Sequence, residues 1–327
     1  MPLILDHHIY EHEDFVEGVY LVNNQLEQNE SSSLSGVGVV AKFIEANGYS
    51  VDKYTDLIAV GLIADAMDMV NIQNRAYVND GLDNLNNELI KEFFKDIKSP
   101  TITNVSWDCA NFMNSVIRYG NKNEKELLWK AITNQEGTVE YTNKKGETVQ
   151  QSLSEGFKRI SQNVKSRQNS AIKRAVGKVE KYIYKNKLEK NKVIIIMNDD
   201  MLEHSITGIT AQRLVNIFKR PIIIVSPYNG EYSGSVRSPF DFKEMLDESE
   251  LITFAQGHNQ AFGVGFPKEN IPKIEEYFNK KLKDFDVEEK IFDVDYIFNN
   301  KELKLDDVKE IANMNKLWGQ NIQEPTF

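Results

Sequence analysis

The chain has 327 residues, 41% of them hydrophobic and 10% aromatic, which at about 150 residues per domain is enough apolar material for two packed cores. A formal net charge of −10 argues against a uniformly basic coat for nucleic acid, and neither a run of about 18 apolar residues nor a basic-then-apolar signal region is found. One cysteine, Cys109, excludes a disulfide framework within the chain, so a reducing compartment, the cytoplasm, is expected.

The first structured stretch is LILDHH, an apolar strand that delivers Asp6, His7 and His8 in succession. Strand side chains alternate between faces, so three polar residues after Leu3-Ile4-Leu5 fit a strand end, where open α/β sheets bind ligands. Carboxylate beside imidazole suits a borderline divalent metal. A solvated strand end is the plainer reading, and the triplet alone leaves both open. VYLVNN (19–24) reads as a second strand and 25–33 as a polar linker. LSGVGVVAKFIEANG (34–48) then reads as a helix capped by Ser35 and stopped by Gly48, with Gly36 and Gly38 serving close packing or a phosphate at the helix start.

DLIAVGLIADAMDM (56–69), capped by Thr55, is apolar enough to be buried as far as Asp65. A carboxylate leaving a buried helix needs a partner or a metal, which makes Asp65 a functional candidate. Asp68 reads as a solvated or turn carboxylate, and Arg75 as an ion-pair partner or a surface residue. Helical spacing continues from Leu82 to Ile97. Residues 101–120 are mixed and end in a short helix, with Arg118 placed for the helix dipole or for a phosphate.

Between Glu155 and Lys192 the composition shifts to twelve Lys or Arg against three Glu, with apolar residues at helical intervals. This is a long basic helix or helix pair joining two domains, either as a solvated face or as a nucleic-acid contact. The second domain opens with VIIIM, then TGITAQRLVNIFKR capped by Thr207, then PIIIV: a βαβ unit. GSVRS (234–238) and QGHNQAFGVGF (256–266) read as polar loops, either incidental or suited to cradling an anion. A helix around Ile274–Leu282, an alternating strand at Ile291–Phe298 and a last helix at Asp306–Leu317 complete the chain. From Lys268 to Glu310, thirteen acidic residues against nine basic make this end a poor platform for nucleic acid.

The order of these motifs (LILDHH, LSGVGVVAKF, DLIAVGLIADAMDM, MNSVIRYG, TGITAQRL, GSVRS, GHNQAFG) resembles the DHH phosphoesterase superfamily with its DHHA1 domain, the RecJ-like exonuclease branch above all. The resemblance implies an α/β fold: a parallel-sheet DHH domain over 1–150, a basic helical connector over 151–192 and a smaller α/β DHHA1 domain over 193–327. It implies metal ligation by His7 and Asp65 in a two-metal site for Mn²⁺ or Mg²⁺, with Asp6 and His8 orienting the site and meeting the scissile phosphate. Arg118, Gly234, Ser235, Arg237, Gly257 and His258 are then substrate contacts.

The implied activity is 5′-to-3′ hydrolysis of single-stranded DNA. A small-nucleotide phosphodiesterase and a non-catalytic single-strand-binding module are the alternatives. The chain departs from the pattern at Asn111, where proline is frequent, and at Gln256, where glycine is usual. The family's first two carboxylate motifs, expected before DHH, have no counterpart in Met1–Leu5, so the DHH domain is expected to be incomplete and to need further strands or a partner chain.

Overall fold

The computed structural model describes residues 1–8, 17–26, 33–143, 145–285, 294–299 and 304–326. It is mixed α/β and divides into two units, Met1–Val164 with Phe292–Phe327, and Lys165–Ile291.

In the first unit, β1 (Leu3–Asp6) pairs in parallel with β2 (Tyr20–Asn23), in a register that sets Leu5 beside Val22 and Asp6 beside Asn23. The helix α1 (Gly36–Ala46) starts at Ser35, whose backbone is extended as an N-cap requires. Its hydroxyl is buried and bonds nothing among the described residues, so the expected side-chain cap does not form. The all-apolar α2 (Thr55–Ala64) is buried as its composition demands, with Ile58, Ala59 and Leu62 at most 2% exposed. Thr55 is its first helical residue rather than its cap, and the hydroxyl donates to the Asp52 carbonyl.

Periodicity predicted one helix over 82–97, but there are two, α3 (Ile72–Asp83) and α4 (Glu88–Phe94). Asparagines punctuate them: the Asn71 side chain accepts from Gln73 and Asn74 N–H, and that of Asn87 from Leu89 and Ile90 N–H. The mixed stretch after Pro100 is helical almost throughout, as α5 (Ile102–Asn104), a π-helical turn (Val105–Ala110) and α6 (Asn111–Tyr119). The wide turn buries Val105 and Cys109 and leaves Trp107 exposed. α7 (Lys122–Ile132) leads to a hairpin of β3 (Thr138–Thr142) and β4 (Thr148–Ser152) that periodicity did not reveal, because TVEYT and TVQQS bury almost nothing.

The basic segment is one 33-residue helix, α8 (Leu153–Lys185). One face is buried along its length: Phe157 and Val164 in the first core, then Ala171, Ile172, Val179 and Ile183. Arg167, Lys173, Arg174, Lys178 and Lys181 point outward. The helix therefore packs along one face and keeps a basic face in solvent.

In the second unit, β5 (Ile194–Met197), α9 (Thr207–Phe218) and β6 (Ile222–Tyr228) form the expected parallel βαβ unit. Thr207 is the first residue of α9 and not its cap, its hydroxyl donating to the His204 carbonyl. The sequence expectation of two polar loops is corrected here: both are strands. β7 (Glu231–Arg237), α10 (Lys243–Asp247), β8 (Phe254–His258) and β9 (Ala261–Phe266) follow, and the antiparallel additions give the sheet order β5-β6-β7-β9-β8. Tyr232, Val236, Phe262, Val264 and Phe266 fill the core under one face, while serines and glycines occupy the other and hide the alternation. α11 (Ile271–Lys281) seals that core with Ile274 and Phe278.

α12 (Leu305–Asn313) realises most of the last expected helix. The expected strand at Ile291–Phe298 is not formed where described: 294–298 are irregular, with the N–H groups of Asp295 and Tyr296 on the Thr326 carbonyl, and 291–293 lie outside the described residues. Compactness groups Phe292–Phe327 with the first unit, whereas the expected second domain ran to 327. The cause is local: Met69 N–H donates to the Gln320 carbonyl, and Ile322 packs on the first core.

Asp56 is fully buried inside α2 and accepts backbone N–H from Leu57 (2.8 Å), Asn86 (2.7 Å) and Asn87 (2.6 Å), tying α2 to the start of α4. Removing it leaves three backbone donors without their acceptor, one of them the buried Asn87 N–H, so Asp56→Ala is expected to lower stability by roughly 2 kcal/mol, read as a lower urea midpoint by circular dichroism. Burial pushes the Cys109 thiol up to about 12. The native protein is accordingly expected to resist a thiol reagent at pH 8 until it is unfolded, as followed by mass spectrometry.

Candidate metal and phosphate sites

β1 ends at Asp6, so the next two residues leave the sheet at the C-terminal edge of two parallel strands. His8 Nδ1 lies 2.8 Å from Asp6 Oδ1, and His7 Nε2 lies 3.2 Å from Oδ2 of Asp65, which caps the C-terminus of α2. Two residues far apart in the chain are thus joined by a buried helix that stops where its first carboxylate after Asp56 appears. Asp65 is not buried: its side chain is 45% exposed, against 16% for His7, so the apolar helix delivers the carboxylate to an open rim.

The two imidazole rings are 4.4 Å apart between centroids. Asp6, His7 and His8 each offer a ligand atom within 4.8 Å of the others, the one such convergence of three metal-ligating side chains among the described residues. Burial raises the Asp6 carboxyl, but hydrogen bonds from the His8 ring and from the N–H groups of His7 and His8 outweigh it and hold the group below the usual carboxylate value. One carboxylate and two imidazoles converge, a donor set suited to a borderline divalent ion, and Asp65 adjoins it through His7. Asp68 accepts from Val70 N–H as a turn carboxylate, and Arg75, which forms no ion pair among the described residues, donates from Nε to the Met69 carbonyl.

Of the residues that aim this cluster, sequence reasoning singled out Gly36, for close packing, and missed Asn23 and Asn74. Asn23, buried and in register with Asp6, donates from Nδ2 to the His8 carbonyl at 2.9 Å. Gly36 lies behind His7: a Cβ there would stand 3.6 Å from the ring. Asn74, fully buried, donates to the carbonyls of Ser33 and Asp68, binding the approach to α1 to the exit of α2. Only a buried asparagine inside an amphipathic helix hinted at the last. Arg118 is exposed in the last turn of α6, and no hydrogen bond or ion pair joins it to the cluster among the described residues.

In the second unit, strand register gathers the remaining candidates. Arg237, Ala261 and His258 form one row across β7, β9 and β8, and Ser235, Gly263 and Gln256 the next, on the face opposite the core. The start of α9 joins them: Thr207 Oγ1 is 3.2 Å from Ser235 Oγ, and a Cβ on Gly208 would lie 2.8 Å from an Arg237 Nη atom. A guanidinium, two hydroxyls and a helix N-terminus on a flat glycine-rich face form an anion-accepting surface. Gly234 belongs to the other face, where a side chain would strike the Ile224 carbonyl. Gly257, at φ +130°, lies within β8 opposite Phe262, where a Cβ would stand 2.9 Å from the Ala261 carbonyl.

No family model matches the chain. It is 30% identical over 344 residues to the SPbeta prophage-derived protein YorK of Bacillus subtilis strain 168, itself only inferred to be a single-strand DNA-specific exonuclease, and equally to the Bacillus phage SPbeta protein yorK. These alignments cover 99% of this chain and 59% of each relative, so the chain spans well under two thirds of their length. RecJ from Thermus thermophilus in complex with Mn²⁺ superposes with a TM-score of 0.70 at 18% identity, over 95% of this chain and 46% of that one. An exonuclease RecJ bound to manganese gives 0.58 at 19% identity, over 87% and 69%. The fold is therefore that of RecJ. In its relatives and motif order, the chain resembles the DHH/RecJ-like superfamily.

Gly208→Ala is expected to stabilise α9 by up to about 1 kcal/mol through helix propensity. The same methyl displaces the Arg237 guanidinium, so affinity for a short single-stranded oligonucleotide is expected to fall several-fold, a split that thermal unfolding and fluorescence anisotropy read together.

Proposed function

We propose that the chain hydrolyses phosphodiester bonds of single-stranded DNA from a 5′ end. The observation that carries the reading is the convergence of Asp6, His7, His8 and Asp65 on one rim. His7 and Asp65 hold a divalent ion, Mn²⁺ or Mg²⁺, with Asp6 and His8 alongside. Bound in such sites, divalent ions activate water and neutralise charge in an in-line displacement. The Asp6 carboxylate fixes the His8 ring through its 2.8 Å hydrogen bond, and His8, 69% exposed, faces solvent, from which the scissile phosphate arrives. Ser235, Arg237 and His258 hold backbone phosphates on the small-residue face of the sheet, Gly234 and Gly257 let the strands that carry them pack closely on the opposite side, and Arg118 and the basic face of α8 take further phosphates. The two parts act as DHH domain and DHHA1 domain. A buried reduced cysteine suits the cytoplasm.

A two-metal centre needs more carboxylates than these four side chains supply. We place their source on further polypeptide, in the same or a second chain, added to the β1–β2 sheet. Support comes from Leu3, Ile4, Tyr20 and Val22, which stay 37% to 61% exposed on two strands that make no larger sheet among the described residues.

With 5′-labelled single-stranded DNA and Mn²⁺, release of labelled mononucleotide is expected and is expected to stop in EDTA. His7→Ala and Asp65→Ala are each expected to lower the rate more than about 100-fold and to weaken Mn²⁺ binding in calorimetric titration. Arg237→Gln is expected to weaken binding across all sequences and reduce the salt slope by about one. Cleavage of dinucleotides with single strands untouched assigns the site to small nucleotides instead, and salt-sensitive binding without turnover makes the chain a binding module.

A further inference from the structure

Away from both sites, the second unit has a recess of about 250 Å³ where β5 and β6 begin. Lys192 precedes β5, Lys219 and Arg220 precede β6, and Phe218, Phe240 and Phe285 supply apolar walls. Three cations meet three aromatic rings, and no carboxylate among the described residues lines the space.

Two of the cations are held in place. Arg220 Nη1 donates to the carbonyls of Asn191 (2.8 Å) and Glu189, which fixes the guanidinium while its other nitrogens bond nothing among the described residues. Lys192 Nζ donates to the Phe285 carbonyl at 3.1 Å. Lys219 Nζ, on an exposed residue, has no described partner. Phe240 and Phe285 lie 4.6 Å apart between ring centroids, and Phe285 is 43% exposed, so the wall presents a ring to solvent. Like charges gathered without a counter-ion are stabilised by an anion, and pre-fixed donors lower the cost of binding one. Exposed rings beside them favour a ligand that carries its own flat ring. The volume lies just below the roughly 300–1,000 Å³ of small-molecule sites, so the recess holds one ring system and one charged group with the rest of the ligand in solvent, and has no room for an extended strand.

We propose that this recess binds a nucleoside monophosphate, its phosphate between Lys219 and Arg220 and its base against Phe240 and Phe285. The inference is independent of the nuclease reading, because none of these residues belongs to either site above.

The test is calorimetric titration of the whole chain with 2′-deoxyadenosine 5′-monophosphate in EDTA, with inorganic phosphate and deoxyadenosine as separate arms. The nucleotide is expected to bind at least about tenfold more tightly than either fragment. Lys219→Glu is expected to weaken it about tenfold or more and Phe285→Ala several-fold, while Arg237→Gln leaves it unchanged. Lys219→Gln, which leaves the fold's described bonds intact, is expected to fall between. No binding of the nucleotide, phosphate binding as tightly as the nucleotide, or loss with Arg237→Gln but not with Lys219→Glu would overturn the assignment.

Discussion

The pairing of β1 with β2 is the constraint on which the candidate centre depends. Parallel register places Asn23 beside Asp6, and its amide then captures the His8 carbonyl just past the strand end. A shift of one residue would turn Asp6 to the other face and withdraw that amide. With the turn fixed, His7 lies against Asp65 and His8 hydrogen-bonds Asp6, so two imidazole–carboxylate pairs share one rim.

The other half of the rim depends on a helix without a polar face. α2 is buried on all sides and is positioned by packing rather than by amphipathicity, so its end is defined to within a turn. Asp56 near its start and Asp65 at its end carry opposite assignments for one reason, their surroundings. The first is enclosed and satisfied by three backbone N–H groups, and the second is half exposed and answered by a histidine. Burial fixes the first carboxylate as a structural acceptor, while partial exposure beside an imidazole leaves the second open to a ligand.

In the second unit the same economy uses the sheet. Large residues of β7 and β9 face the core, and small ones face outward where α9 begins, leaving room for the Arg237 guanidinium above Gly208. A bulkier outward face would bury the donors that a phosphate requires. The basic face of α8 is likewise the remainder of a packing requirement: one side is apolar because it is buried, and lysine and arginine hold the other in water.

Much of this was legible in the residues themselves. The apolar runs of β5, β6 and α2, the long helical spacing of α8 and the triplet after Leu5 follow from local pattern, because period and composition are local quantities. What misled the reading was equally physical. GSVRS and QGHNQAFG look like loops because alternation against serine and glycine carries little hydrophobic contrast, yet both are strands. Ser35 and Thr55 look like caps, but their hydroxyls are turned elsewhere, and asparagines at 71 and 87 do the capping.

The sequence by itself determined the chemistry available, namely two carboxylates and two imidazoles at Asp6, His7, His8 and Asp65, and the α/β elements that carry them. Only the tertiary structure decided that Asp65 reaches His7, that Asn23 aims His8, and that Ser235, Arg237, His258 and Gly208 share one face. Those are contacts between residues distant in the chain, set by strand register and close packing, which no local pattern encodes.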